Sequence, residues 1–198
     1  TITEGTSMAV AVSPDGRTLV MDLQGTLWTL PISGGEATPI LDAFHDARQP
    51  AWSPDGTTIV FQSYRRGSWD IWSVGRDGRD ARPLTSGPFD DREPHCSPDG
   101  GHIAFASDRG GNYDIWTLDL STGVTRQLTD HPANDFAPAW SPDGREIAFV
   151  SGRGSSAGVW AVGWSTGGTR QMTSFSGAVS APSWRPGEAQ AQSTRGNH

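Results

Sequence analysis

The residues able to do chemistry recur at a fixed step. Asp46, Asp90 and Asn134 stand 44 positions apart, and Asp91 and Asp135 keep that step beside them. A column of oxygen-bearing side chains suits a hard cation or a cationic ligand, since Ca2+ takes about six to eight oxygens. The same residue types also close tight loops by accepting their own backbone N–H groups. Arg65, Arg109 and Arg153 form a second column. A guanidinium can grip a carboxylate or phosphate through two parallel hydrogen bonds. A repeated arginine can equally brace neighbouring loops, through carbonyls or the adjacent repeat's acid. Because these columns recur, they explain a fold better than any single site. Trp69, Tyr64, Phe89 and Phe136 lie in the same segments, with Arg48 and Arg92. Their rings could stack a sugar, grip a peptide or pack the edges of the repeats.

Departures from the repeat are more specific. His45 and His131 could titrate or bind metal, yet they occupy unmatched columns. His95-Cys96 replaces the Ala51-Trp52 and Ala139-Trp140 of sister repeats. Adjacent strand residues point to opposite faces, which separates the thiol from the imidazole and leaves a small buried Cys as the expectation. Cys96 is the one cysteine, so neither an intrachain disulfide nor a cysteine-cluster metal site can form. The chain has no Gly-x-Ser-x-Gly elbow and no His-x-His pair. No catalytic residue is therefore assigned, and the chain is expected not to be an enzyme. No cofactor is expected either, with Ca2+ near the acidic column the one candidate.

The elements that position these residues follow from the repeat. Ser-Pro-Asp-Gly occurs at Ser13–Gly16, Ser53–Gly56, Ser97–Gly100 and Ser141–Gly144, at steps of 40, 44 and 44. Leu27-Trp28, Ile71-Trp72, Ile115-Trp116 and Val159-Trp160 keep a step of 44, as do Pro50, Pro94, Pro138 and Pro182. In the third repeat, strands are expected at 93–96, 102–107, 113–120 and 124–129, joined by turns with Pro and Gly at their favoured places. No window repeats apolar residues at helical spacing. Ile103, Phe105, Ile147 and Phe149 point to one face of their strands, and Ala104, Ala106, Ala148 and Val150 to the other. Both faces are apolar, large against small, as in a sheet packed between two others. Four short strands at this period are the signature of a β-propeller blade.

At this point a family resemblance appears. Trp-Ser-Pro-Asp-Gly, Ile-Ala-Phe-x-Ser-x-Arg, Asp-Ile-Trp and Arg-Gln-Leu-Thr resemble the TolB-type, WD40-like (PD40) propeller repeat. The first repeat, with Glu4–Ser7, Asp22–Trp28 and Pro31–Gly35, also resembles the opening propeller of large amidohydrolase-type proteins. The resemblance implies an all-β propeller, and counting repeats gives four blades plus one strand of a fifth, forming an open or incomplete ring. Blades are expected at about 7–42, 47–86, 91–130 and 135–174, with a partial fifth at 179–187. Residues 188–198 are polar and read as an irregular or disordered tail. Ala181–Trp184 opens the fifth repeat, and Arg185-Pro186-Gly187 stands where its turn belongs.

Composition narrows function further. Leu, Ile, Val and Phe make up 34 of 198 residues, but nine tryptophans argue for a folded chain. There is no apolar run of membrane-spanning length and no signal peptide pattern in the chain. The formal charge of −7, with all basic residues arginine, argues against nucleic acid. The leading expectation is a non-catalytic scaffold that binds a protein or peptide through the face carrying the longer loops. The candidate binding residues are Asp46, Arg48, Arg65, Trp69, Asp90, Asp91, Arg92, Arg109, His131, Asn134 and Asp135. The alternative is an accessory propeller of a larger amidohydrolase or serine peptidase. The resemblance implies a periplasmic or secreted location, and open blade ends imply self-association.

Overall fold

A computed structural model describes residues 8–154, 157–173, 181–184 and 191–193, the last for the backbone alone. The first sheet holds β1 (Val10–Val12), β2 (Thr18–Leu23), β3 (Thr26–Pro31) and β4 (Thr38–Pro39). The second holds β5 (Ala47–Trp52), β6 (Thr58–Ser63), β7 (Asp70–Gly75) and β8 (Arg82–Pro83). The third holds β9 (Asp91–Cys96), β10 (His102–Ser107), β11 (Asp114–Asp119) and β12 (Thr125–Gln127). The fourth holds β13 (Asp135–Trp140), β14 (Glu146–Ser151), β15 (Gly158–Gly163) and β16 (Thr169–Gln171). Each is a four-stranded meander in chain order, antiparallel between neighbours. The expected blades are present, with strand ends within two residues of expectation in the third repeat.

The Ser-Pro-Asp-Gly turns show why the word repeats. In the first, Gly16 N donates to Ser13 O (2.8 Å) at a φ of 69°, which suits glycine. The Ser13 hydroxyl donates to Asp15 Oδ1 (2.5 Å) and accepts from Thr18 N (2.9 Å), while Asp15 Oδ1 accepts from Arg17 N (3.0 Å). The serine is buried in each of the turns at Ser13, Ser97 and Ser141. Proline then links neighbours: a Cβ on Gly56 would touch Pro14, and one on Gly144 would touch Pro98.

The chain divides into two compact units, Thr1–Pro94 and His95–His198. In the first unit, Val20 and Leu27 of the first sheet pack with Ile59, Phe61, Trp72 and Val74 of the second. In the second unit, Ala104 and Ile115 pack with Ile147, Phe149 and Val162. Phe61, Phe105 and Phe149, one in each of the second, third and fourth repeats, are fully buried, and the small Ala104 meets large side chains as the pattern implies. Burying each phenyl group contributes about 2–3 kcal/mol of transfer free energy. Met8, Val10 and Val12 at the first sheet are about half exposed.

Two strands, β5 and β13, carry a bulge before the proline of their column, between Arg48 and Ala51 and between Phe136 and Ala139. Gln49 and Ala137 have φ of 54° and 51° there, and Glu93, before Pro94 in β9, has a φ of 57°. Proline lacks the N–H a regular ladder needs, so pairing slips at that place.

A fifth sheet pairs β17 (Pro182–Trp184) with β18 (Ala191–Ser193). β18 lies inside the polar run read as an irregular tail. Strand pairing is made by backbone groups, so a polar run can supply a strand wherever an edge such as β17 offers unpaired N–H and C=O groups. The rest of 188–198, the Arg185-Pro186-Gly187 turn and Glu4–Ser7 lie outside the described residues. Among the described residues no helix is long and apolar enough to cross a membrane.

Candidate functional site

In each antiparallel sheet the loop between the second and third strands lies at the end opposite the Ser-Pro-Asp-Gly turn. In the first unit this loop end brings five of the sequence-derived candidates together. The guanidinium carbons of Arg48 and Arg92 both lie 5.3 Å from the Trp69 ring centroid. Tyr64 meets the same indole at 5.4 Å. Asp46 Oδ1 accepts from Arg48 Nε and Nη2 at 3.1 Å. Asp90 Oδ2 accepts from Arg92 Nη2 at 2.7 Å, and its Oδ1 accepts from Trp69 N at 3.0 Å. The result is one indole met by two guanidiniums, each hydrogen-bonded to its own carboxylate. Cations over an indole face are attracted by the ring quadrupole. The arrangement offers a partner aromatic, cationic and anionic contacts within one surface.

Arg65 behaves differently from its column. Asp91 and Asp135 open their strands, but the matching residue of the second repeat is Ala47. Arg65 Nη1 instead donates to His45 Nε2 at 2.9 Å. Arginine cannot accept, so the imidazole proton lies on Nδ1 and is donated to Asp42 Oδ1 at 2.8 Å. His45 is buried against Trp72, with ring centroids 5.6 Å apart. Sequence reading missed this Asp42-His45-Arg65 chain. The signal was Ala47, which leaves Arg65 without the acid its sister column supplies.

In the second unit the candidates are committed within their own loops. Arg153 pairs through Nη2 with Asp135 of its own repeat, not with a neighbour's acid, and its side chain is only 7% exposed. Its Nε donates to Ser151 Oγ at 3.0 Å, and the guanidinium lies over Phe149 and Trp160. Arg109 repeats this with Ser107 (2.9 Å), Phe105 and Trp116. Asn134 Oδ1 accepts from Tyr113 N at 3.2 Å, as Asp90 does from Trp69. Asp91 and Asp135 are buried, and their backbone N–H groups donate to Trp69 O (2.7 Å) and Tyr113 O (2.8 Å). His131 Nδ1 accepts from Ala133 N at 3.0 Å. Tyr113 and Phe136 lie 4.9 Å apart.

Burial pushes the Asp114 carboxyl above the ordinary range, against the hydrogen bonds from His131 N, Gln127 and Thr129 that favour its anion. Burial pushes the His95 imidazole down. Its neighbour Cys96 is partly exposed rather than buried, since a small side chain stands where Trp52 and Trp140 cover their strands. Among the described residues no group of three or more His, Cys, Asp or Glu side chains converges to hold a metal ion.

The profile of the TolB beta propeller domain, PD40, matches residues 88–197, more than half of the chain. The chain belongs to the TolB β-propeller family. Solved structures agree with that TolB-type assignment. A putative TolB from Agrobacterium tumefaciens is 26% identical over 91% of this chain, with a TM-score of 0.83. TolB from Acinetobacter baumannii is 22% identical over 94%, with a TM-score of 0.68. The chain spans 66% and 49% of those two proteins. An oligogalacturonate lyase in complex with manganese shares the TolB-type fold at 19% identity over 91% of this chain and 57% of its own, with a TM-score of 0.70. No curated protein matches the sequence.

Proposed function

We propose that this TolB-type propeller is a non-catalytic scaffold that binds a protein or peptide through its loop end, anchored on Arg48, Trp69 and Arg92. The observation that carries the reading is the Trp69 indole met by two guanidiniums, each paired with its own aspartate. Tryptophan and arginine dominate the residues that carry binding energy at protein interfaces. Pre-fixed side chains also lose little freedom on binding. The second-unit candidates support the loops rather than the ligand, because Arg109 and Arg153 are laid over their own repeat's aromatic rings. The likeness to proteins named TolB supports a polypeptide partner and a periplasmic or secreted location.

The test is selection of random displayed peptides on the full chain, followed by affinity measurement on Trp69→Ala and Arg92→Ala. Selected peptides are expected to lose affinity at least about tenfold on both variants, roughly 1.4 kcal/mol. Peptides that bind the variants as well as the parent would overturn the reading.

A further inference from the structure

The loop end of the first sheet breaks the repeat twice in one corner. In the next two repeats Trp69 and Tyr113 each lie against a side chain 23 positions later in the chain, Arg92 at 5.3 Å and Phe136 at 4.9 Å. The first repeat has Gly25 in place of the ring, while the partner position holds Arg48. Gly25 sits at a φ of 79°, a conformation that residues with a side chain rarely adopt, so this backbone disfavours an aromatic side chain of its own. A cavity of about 430 Å³ remains, lined by Asp22, Gln24, Gly25, Ala43, Asp46 and Arg48 among others. Its size falls within the roughly 300–1,000 Å³ of small-ligand clefts. Next to Ala43 stands Phe44, 83% exposed, where the sister repeats have Pro88 and Pro132. The corner has therefore lost the ring of its own repeat, keeps a guanidinium that already lies over Trp69 of the next sheet, and has gained an exposed aromatic beside it.

We propose that this corner is a subsite for an aromatic side chain of the partner polypeptide, stacked on Arg48 in the place that Trp69 and Tyr113 fill in their own repeats. The inference rests on the loop end being a polypeptide-binding surface and names the side chain it takes. A guanidinium attracts the electron-rich face of an aromatic ring, which an aliphatic side chain or a sugar lacks. Asp22 and Asp46 beside it disfavour an aromatic ligand that carries phosphate. Asp46 Oδ2 accepts no hydrogen bond from the described residues, which leaves an acceptor for the N–H of an indole or of the peptide carrying it.

The test titrates the isotope-labelled full chain with N-acetyl-tryptophanamide, with N-acetyl-leucinamide as control, by two-dimensional NMR. Ring-current shifts are expected at the amides of Gly25 and Ala47 and at Arg48 Nε. Leucinamide is expected to bind at least about tenfold more weakly. Arg48→Met is expected to weaken the tryptophan probe by a similar factor. Equal response to the two probes, silence at Gly25, or unchanged binding by Arg48→Met would overturn the subsite. The free probe needs no partner, so the two readings fail separately. A responsive corner with no selectable peptide sinks the loop-end scaffold, and selected peptides that leave Gly25 unperturbed sink the subsite.

Discussion

Asp22 joins the first sheet to the second: its Oδ2 accepts the backbone N–H of Gln49 at 2.7 Å, while Oδ1 accepts that of Ala9 at 2.9 Å. Gln49 sits in the β5 bulge, where positive φ turns its N–H out of the ladder and toward the preceding sheet. Gln62 repeats the relationship one step on, accepting Glu93 N at 2.8 Å. A polar side chain in the second strand thus satisfies a donor that the bulge would otherwise leave buried.

Asp22→Ala should destabilise the chain by about 2–6 kcal/mol, since it strands two N–H donors beside a buried position at roughly 1–3 kcal/mol each. Asp22→Asn should recover part of that loss, because its one oxygen can serve one donor. Urea midpoints of the three proteins check the order. Equal stability of parent and alanine variant would contradict this account of the bulge.

Gly158 stands where the sister repeats have Asp70 and Asp114. A Cβ there would run into Thr173 O, whereas one on Gly152 would meet nothing within 4 Å. Gly158→Ala is therefore expected to cost about 1–3 kcal/mol by overpacking. Gly152→Ala should be close to neutral. Denaturant unfolding of the pair distinguishes a steric glycine from a merely tolerated one.

Stability should decline as pH falls from about 4 toward about 2. Serine hydroxyl groups and turn N–H groups hold Asp15, Asp55, Asp99 and Asp143 below the ordinary carboxylate value of 3.8. The Ser121 hydroxyl and the N–H groups of Thr122 and Ser121 hold Asp119 at about 2. A folded-state pKa below the unfolded one stabilises above the unfolded value, and that gain is lost as pH drops through the folded one. Asp114, pushed up by burial, has the opposite sign: its ionised form costs stability, and the cost is relieved as pH falls through its raised folded value. Asp119→Asn should flatten part of the acid limb in a urea-midpoint series. A midpoint that does not change between pH 4 and 2 would contradict the turn chemistry.

The blades were legible because turn chemistry and alternation agree at every repeat. The Ser-Pro-Asp-Gly word states its own hydrogen bonds, and Ile103 to Ala106 state which strand is buried on both faces. The site was legible only in part. Asp46, Arg48, Trp69, Asp90 and Arg92 could be placed on one loop end, but their stacking depends on side-chain reach that spacing does not encode. His45 looked unmatched because its partner, Arg65, was assigned to a column whose acid is replaced by Ala47. β18 was missed because polar residues carry no strand pattern when pairing is made by the backbone.

The most direct test of the central claim compares peptide affinity at the two ends of the sheets. Peptides selected on the parent chain are measured by isothermal titration on Trp69→Ala, at the loop end, and on Asp55→Asn, in the turn at the opposite end of the same sheet. Trp69→Ala is expected to weaken binding at least about tenfold and Asp55→Asn to leave it unchanged. Binding that survives Trp69→Ala and falls with Asp55→Asn would contradict the loop-end scaffold.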